Sequence, residues 1–322
     1  MRQYTSTYDP SADTIDAVIQ TIDEGLERLP SYMDFYHKWE RQQWSVQDLD
    51  FSTDRAQWLA EMPDLVRQSR IAGYTGFFAG EIAVADTLAP YIAAMPRLDQ
   101  RIFLTTQVVD EARHVVFFDR WFTEVLGRDR AIVGDQMARA AEMMGSYYND
   151  VFYRILPDIS NGLRKHPEDL NLLVEGVTLY HIIIEGAMAM AGQTSMLQTY
   201  KQVGIFPGFQ IGFTSVARDE SRHVLFGVKF LYDMVQADNQ YAYRIVDFIN
   251  GLLQGLYDFG RPAPEYVALR LKQGLDVDWT PKFYASALRR KLRAMGIQAS
   301  IPDPKPTPIP PELLAMAGIS PN

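Results

Sequence analysis

Apolar residues recur at helical spacing in four long stretches of the chain, roughly 63–94, 97–126, 168–203 and 207–236, each bounded by Pro or Gly. Two segments, IAVADTLAPYIAAM at 82–95 and RHVLFGVKFLYDMVQ at 222–236, are apolar around much of the helix circumference. That pattern belongs to helices packed on several sides at once. Pro90 lies inside the first stretch and predicts a kink, because it lacks a backbone N–H and clashes with the preceding turn. Shorter helical patterns occupy 13–28, 129–155, 239–258 and 281–294, and no segment sustains the period-two alternation of a half-buried strand. The expected class is all-α: a four-helix core over about 63–236 with additional helices, in a single domain spanning 1–300. From Ile301 the sequence IPDPKPTPIPPELLAMAGISPN is too rich in proline for a regular helix, so 301–322 is expected to be an extended, poorly ordered and peripheral Pro-rich C-terminal tail.

Composition narrows the chemistry. The 322 residues exceed the usual single-domain size, but one long bundle reaches that length without a second core. With 47% hydrophobic and 22% charged residues the chain has the make-up of a globular protein. A formal net charge of -9 opposes a phosphate-backbone partner, so nucleic acid is not expected. The absence of cysteine removes disulfides, thiolate nucleophiles and iron–sulfur ligation, leaving carboxylate and imidazole as the strong metal ligands. The N-terminal residues lack a basic region followed by an apolar stretch, and no run of about 18 apolar residues occurs, so no integral membrane segment and a cytoplasmic location are expected.

Two strings stand out: Asp110-Glu111-Ala112-Arg113-His114 in the second long stretch and Asp219-Glu220-Ser221-Arg222-His223 in the fourth. Each contains Glu-x-x-His. Residues three apart on a helix project about 60° from one another, so both side chains reach one ion from neighbouring positions. The first and third stretches each place a Glu among apolar residues, Glu81 in FFAGEIAVAD and Glu185 in YHIIIEGAMAM. One Glu from each of two helices plus Glu-x-x-His from each of the other two is the ligand set of dinuclear carboxylate sites in ferritin-like bundles. The order Glu81, Glu111/His114, Glu185, Glu220/His223 also divides the chain into two similar halves. A solvated ion pair is the ordinary fate of a single Glu-x-x-His. Four Glu buried together would repel one another, and two cations supply the missing positive charge. Asp110 and Asp219, each preceding a ligand, are candidates to accept the N–H of a ligand His and fix its tautomer. Arg113 and Arg222 are expected to form salt bridges to neighbouring helices.

With these strings on the page, the chain resembles the ribonucleotide reductase small-subunit superfamily, in which both occur in this order around a dinuclear centre. The resemblance covers roughly 40–235 and includes the segment Trp44-Ser45-Val46-Gln47-Asp48-Leu49-Asp50-Phe51-Ser52-Thr53-Asp54-Arg55. It implies a hydrogen-bonded chain from Trp44 through Asp219 to His114. A reductase small subunit normally carries a radical-forming Tyr four residues after the first ligand His, where this chain has Phe118. Reductases with a manganese–iron centre also have Phe there. Their C-terminal docking segment, however, bears a Tyr, whereas 295–322 here contains no aromatic residue.

The nearer resemblance is to the ligand-binding oxidases of that superfamily, which assemble a Mn/Fe centre, bind a long-chain fatty acid beside it and join a Val to a Tyr by an ether cross-link. In that group the Val lies three residues after the first Glu ligand and the Tyr five before the third, positions held here by Val84 and Tyr180. The group's Gly-Glu-x-x-Val signature appears as Gly80-Glu81-Ile82-Ala83-Val84, with Ile82 in place of a common acidic residue. Val84 at i+3 shares a face with Glu81, but Tyr180 and Glu185 lie about 140° apart on an ideal α-helix. A π-bulge near Ile182 would realign them. Phe77, Phe78, Phe117, Phe118, Ile183, Ile184 and Met188 are the candidate lining for an acyl chain, with plain core packing as the competing role.

The resemblance implies an O2-dependent oxidase with a Mn/Fe or Fe/Fe centre acting on aliphatic C–H bonds, an apolar small-molecule ligand, an unidentified electron donor and a homodimer. A Mn/Fe reductase small subunit needing a large-subunit partner, and a related di-iron N-oxygenase or desaturase, are the alternative readings.

Overall fold

A computed structural model describes residues 8–60, 62–127 and 142–319 of the chain. Among these residues every regular element is helical. α1 (Ile15–Arg28) starts where the Thr14 hydroxyl accepts the Ala17 N–H, and α2 (Tyr32–Arg41) opens on a reciprocal capping box between Ser31 and Asp34. α3 (Ser52–Leu59) leads into the first long stretch, α4 (Asp64–Thr87), which breaks at Leu88 and resumes as α5 (Ala89–Ala94). Pro90 sits in the first turn of α5, where its missing N–H costs nothing, and the interruption it causes falls at Leu88, whose own dihedrals stay helical. α6 (Leu98–Arg120) runs on into a π-helical turn, Trp121–Val125.

α7 (Gly145–Asp150), a π-helical turn Val151–Ile155 and α8 (Leu156–Lys165) form one run. It extends ten residues beyond the 155 boundary expected from the sequence, and the part of that pattern before 142 lies outside the described residues. The third long stretch comprises α9 (Leu170–Val177), a π-helix over Thr178–Ala189 and α10 (Met190–Val203). The fourth is the unbroken α11 (Pro207–Ala237). α12 (Gln240–Phe259), α13 (Pro264–Lys272), α14 (Trp279–Ala294) and α15 (Pro311–Met316) follow.

The short helices α2, α3, α13 and α15 were not expected from periodicity, since fewer than about three turns carry too few apolar repeats to read. The tail also departs from expectation. Proline is excluded from helix interiors but suits the first position, which is how Pro311 opens α15. Nor is the tail peripheral: Ile301 is buried, and the carbonyls of Ile301, Pro302 and Lys305 accept from Arg289, Tyr257 and Arg261. An extended Pro-rich backbone has no internal hydrogen bonds, so its carbonyls are free for such partners.

α4 packs on α6, and α11 packs on the π-helix and on α1. The apolar interior falls into two clusters. Along α6 the sequence passes from Phe103 and Leu104 in one cluster, through buried Gln107, Asp110, Glu111 and His114, to Phe117 and Phe118 in the other. Along α11 it passes from Phe209 and Phe213, through Arg218 to His223, to Leu225 and Phe226. A belt of buried polar groups therefore crosses the bundle between two dry layers.

The stretches Asp64–Ala94 and Leu170–Val203 are long and apolar enough to cross a membrane by length and composition, but 61% and 83% of their most apolar windows are buried within the protein. Their apolar faces are accounted for by the bundle interior.

The π-helix and α11 approach closely at Gly227, where a Cβ would lie 2.3 Å from His181 Cβ, a backbone-proximal atom that cannot swing aside. Gly227→Ala is expected to cost about 1–3 kcal/mol through overpacking. A lowered midpoint in denaturant unfolding followed by circular dichroism would show it; an unchanged midpoint would mean that the two helices are not in close contact there.

Candidate metal centre

The four long stretches bring Glu81 from α4, Glu111 and His114 from α6, Glu185 from the π-helix, and Glu220 and His223 from α11 to one place, all buried. Their ligand atoms form two overlapping groups, Glu81/Glu111/His114/Glu220 and Glu111/Glu185/Glu220/His223, each with its atoms within 4.8 Å of one another. Nδ1 of His114 lies 3.3 Å from Glu81, 3.4 Å from Glu111 and 3.4 Å from Glu220. Nδ1 of His223 lies 3.4 Å from Glu111, 3.4 Å from Glu185 and 3.3 Å from Glu220. The two shared carboxylates are split between the groups: Glu111 turns Oε2 to His114 and Oε1 to His223, and Glu220 turns Oε1 to His114 and Oε2 to His223.

Electrostatics shows what this cluster lacks. Burial pushes Glu81 up to about 8, against the pull of His114, and drives Glu185 well above the ordinary carboxylate range. Burial also works to raise Glu220, but hydrogen bonds to His114 and His223 outweigh it and hold that carboxyl at about 2. Burial works to lower both imidazoles, yet Glu81 and Asp219 at His114, and Asp110 and Glu185 at His223, draw them well upward. The cluster is thus short of positive charge. Glu111 Oε2 and Glu185 Oε2 are buried without a hydrogen-bond donor, as expected of oxygens that serve cations instead. The oxygen and nitrogen donor set, two overlapping groups and orphaned oxygens together fit a pair of metal ions.

A second set of groups orients the imidazoles. Asp110 Oδ2 lies 3.2 Å from His223 Nε2 and accepts Trp39 Nε1–H at 3.0 Å through Oδ1. Asp219 Oδ2 accepts Trp44 Nε1–H at 2.7 Å and faces His114 Nε2 at 3.6 Å, which is too long for a hydrogen bond. Each Asp therefore faces the imidazole of the other string, giving two chains, Trp39–Asp110–His223 and Trp44–Asp219–His114. Arg113 and Arg222 tie the chains together: Arg113 reaches Asp110 at 2.9 Å and Asp219 at 3.3 Å, and Arg222 reaches them at 2.9 Å and 2.8 Å. Burial disfavours the Asp219 charge, but Arg222 and Arg218 hold its carboxyl well below the ordinary range.

Three nearby residues escaped the sequence reading. Gln107 donates to Glu185 at 2.8 Å and to Glu111 at 3.3 Å, and its carbonyl lies 3.1 Å from His181 Nε2. Burial pushes His181 down to about 3, so the ring is neutral and its Nε2–H donates to Gln107. Gln107 stands one turn before Glu111, a polar residue at a core-facing position, and that was the available signal. Trp39 carried none beyond its distance of five residues from Trp44.

Tyr180 is fully buried and donates to Glu111 Oε1 at 3.2 Å. The π-helix spans Ile182, where the five-residue spacing of Tyr180 and Glu185 called for a bulge, and its i→i+5 pattern brings such residues towards one face. Val84, Glu81, Glu185 and Glu220 line the inner end of a cavity of about 500 Å³ that runs outward between α4 and α10. Of the seven residues considered for an acyl chain, Phe77, Ile184 and Met188 line it. Phe78, Phe117, Phe118 and Ile183 belong to the packed core, Phe118 among the rings of Phe77, Phe117 and Phe213.

A sequence model of the family "Ribonucleotide reductase, small chain" matches residues 28–259. The chain belongs to the ribonucleotide reductase small-chain family. Solved structures of an R2-like ligand-binding oxidase show the same fold. A variant with an anaerobically reconstituted Mn/Fe cofactor matches with a TM-score of 0.70 at 26% identity, over 82% of this chain and 93% of that one. Another, aerobically reconstituted with Mn/Fe, matches equally, and a third with a non-activated Mn/Mn cofactor gives a TM-score of 0.69 at the same identity and coverage. Within the family, then, this chain resembles dinuclear metal oxidases.

Asp219→Ala removes the acceptor for Trp44 and leaves Arg218 and Arg222 buried with less counter-charge. A loss of about 3–5 kcal/mol in unfolding free energy is expected, measured by denaturant titration. A loss below about 1 kcal/mol would mean that water reaches the belt.

Proposed function

We propose that Glu81, Glu111, His114, Glu185, Glu220 and His223 hold a Mn/Fe or Fe/Fe pair, and that the chain is an O2-dependent oxidase of aliphatic C–H bonds. Glu81 and His114 serve one ion, Glu185 and His223 the other, and Glu111 and Glu220 lie between them. The observation that carries this reading is the split of both shared carboxylates, one oxygen towards each imidazole. When bound and reduced, such a pair supplies the electrons and Lewis acidity for oxygen activation.

The chain's own residues do the rest. Asp110 and Asp219 face the outer nitrogens of the imidazoles, so Nδ1 of each is presented to the centre. Gln107, oriented by His181, donates to Glu185 and Glu111 and limits how these carboxylates turn. The two apolar clusters exclude bulk water from either side. The cavity, walled largely by apolar residues, suits an apolar ligand, in keeping with the ligand-binding name of the structural relatives, and in this reading the ligand is a long-chain fatty acid.

In this reading Val84, which lines the cavity with Glu81, and Tyr180, which donates to Glu111, are the two residues joined by the ether cross-link. In that step the Val84 C–H and the Tyr180 O–H are lost, a C–O bond forms, and O2 takes the two electrons and two protons. Phe118 offers no phenol for a stable radical at the neighbouring position.

After aerobic loading with Mn and Fe, metal analysis is expected to find two ions per chain, and Glu220→Ala fewer than two. Peptide mass spectrometry is expected to find the Val84 and Tyr180 peptides joined, two hydrogens lighter than their sum. Full metal content without that species would remove the cross-link and leave the metal centre standing. A chain that takes up no metal would remove both.

A further inference from the structure

The π-helix Thr178–Ala189 carries both Tyr180 and Glu185, so the point at which it ends governs how their side chains are turned. In an α-helix each N–H donates to the carbonyl four residues back, in a π-helix to the one five back. At the change from one pattern to the other the donors skip a carbonyl. The Met190 N–H marks that point: it donates to Glu185 and Ala187 and not to Gly186 between them, its partner in an α-helix. A buried carbonyl left without a donor is costly, so a wide turn here needs a partner from another element.

That partner comes from α14. Lys291 is buried, and its ammonium donates to the Gly186 carbonyl at 2.7 Å. Among the described residues no carboxylate pairs with it, and Asp23, whose charge it feels, is bound by the neighbouring Arg290. Burial lowers its basicity to about 7, a desolvation cost that an apolar side chain at this position would avoid. Gly186 is matched to the approach. A Cβ there would lie 2.5 Å from Lys291 Cε and 2.8 Å from the carbonyl oxygen of His181, so any larger residue would push the lysine off. Lys291 also lies beyond residue 259, outside the span matched by the family model.

We propose that Lys291 is a positioning residue for the carboxylate cluster: by binding the Gly186 carbonyl it fixes the end of the π-helix and keeps Glu185 and Tyr180 turned to the same side. Without the amine, the Met190 N–H closes on Gly186 and the wide turn shortens. Glu185 then rotates by about 100° relative to α10 and leaves Gln107 and His223. The effect on metal uptake rests on the metal reading, whereas the register of the helix does not.

The test uses the full chain and two variants. Lys291→Met keeps the length of the side chain and removes the amine. Lys291→Cys introduces a single thiol into a chain that has none. Alkylation of that thiol in the unfolded state with 2-bromoethylamine restores an amine, and alkylation with 1-iodopropane restores length alone. The intact chain, carried through the same unfolding and refolding, is the reference.

The first measurement is amide hydrogen exchange by mass spectrometry on metal-free protein. Peptides covering 186–193 are expected to exchange about tenfold faster or more in Lys291→Met and in the propyl adduct. The aminoethyl adduct is expected to return towards the intact chain, and peptides of 279–290 to stay unchanged throughout. Unchanged exchange at 186–193 in Lys291→Met would overturn the proposal. An equal rise in 279–290 would overturn it too, since loosened packing of α14 would then be the cause.

The second measurement is titration with cobalt(II), followed through its visible absorption. Lys291→Met is expected to bind one of two ions about tenfold more weakly or worse, with altered bands, and the other as the intact chain does. Two ions bound with intact affinity and spectrum would overturn the role at the cluster. An intact chain that takes up no cobalt would count against the metal reading, while the exchange comparison still decides whether Lys291 holds the register.

Discussion

Four carboxylates placed within a few ångströms of one another, away from water, are the constraint around which this bundle is organised. Desolvating one charged carboxylate costs several kcal/mol even after relaxation. Among the described residues the cost for Glu81, Glu111, Glu185 and Glu220 is met by no lysine or arginine in direct contact with them, but by two imidazoles and the cations that the arrangement fits. The arginines stand one layer further out, on Asp110 and Asp219. Charge is thus graded across the belt: acids at the centre, imidazoles beside them, then aspartates, then guanidiniums and two indoles.

That grading explains why the interior comes as two apolar clusters rather than one. A belt this polar cannot be mixed into a hydrocarbon core, so each long helix changes from apolar to polar and back along its length. It also explains the π-helix. An α-helical third stretch would turn Tyr180 away from the cluster that Glu185 faces; the wider turn keeps both on it, and Tyr180 reaches Glu111. The wider turn also leaves the Gly186 carbonyl for the Lys291 ammonium at 2.7 Å, whose basicity burial lowers to about 7.

Much of this was legible in the sequence. The four long helices follow from periodicity, and the meeting of six side chains follows from two Glu-x-x-His strings and two isolated acids in apolar surroundings. Even the bulge could be placed, because five residues between Tyr180 and Glu185 do not fit an α-helix. What could not be read depends on contacts between distant segments. Trp39 and Trp44 are both indoles near the start of the chain, and only the fold shows that they serve different aspartates. His181 reads as one more core residue until Gln107 is seen beside it. The docking of the Pro-rich tail escaped because its partners, Arg289, Tyr257 and Arg261, carry no local signal of what they will bind. Phe77 and Phe78 are neighbours in sequence, yet one lines the cavity and the other is core, a difference set by helix rotation alone.

The span matched by the family, 28–259, ends before α14 and begins as α1 finishes. Yet α1 lies along α11, and α14 lies against the π-helix with Leu288, Lys291 and Leu292 buried. Arg290 of α14 meets Asp23 of α1, so the two flanks close on each other across the outside of the helices that carry Glu185, Glu220 and His223. A fragment trimmed to the recognisable homology would keep every proposed ligand and still lose the outer wall of half the centre. For this chain, the span that the family model recognises is narrower than the unit whose helices pack together.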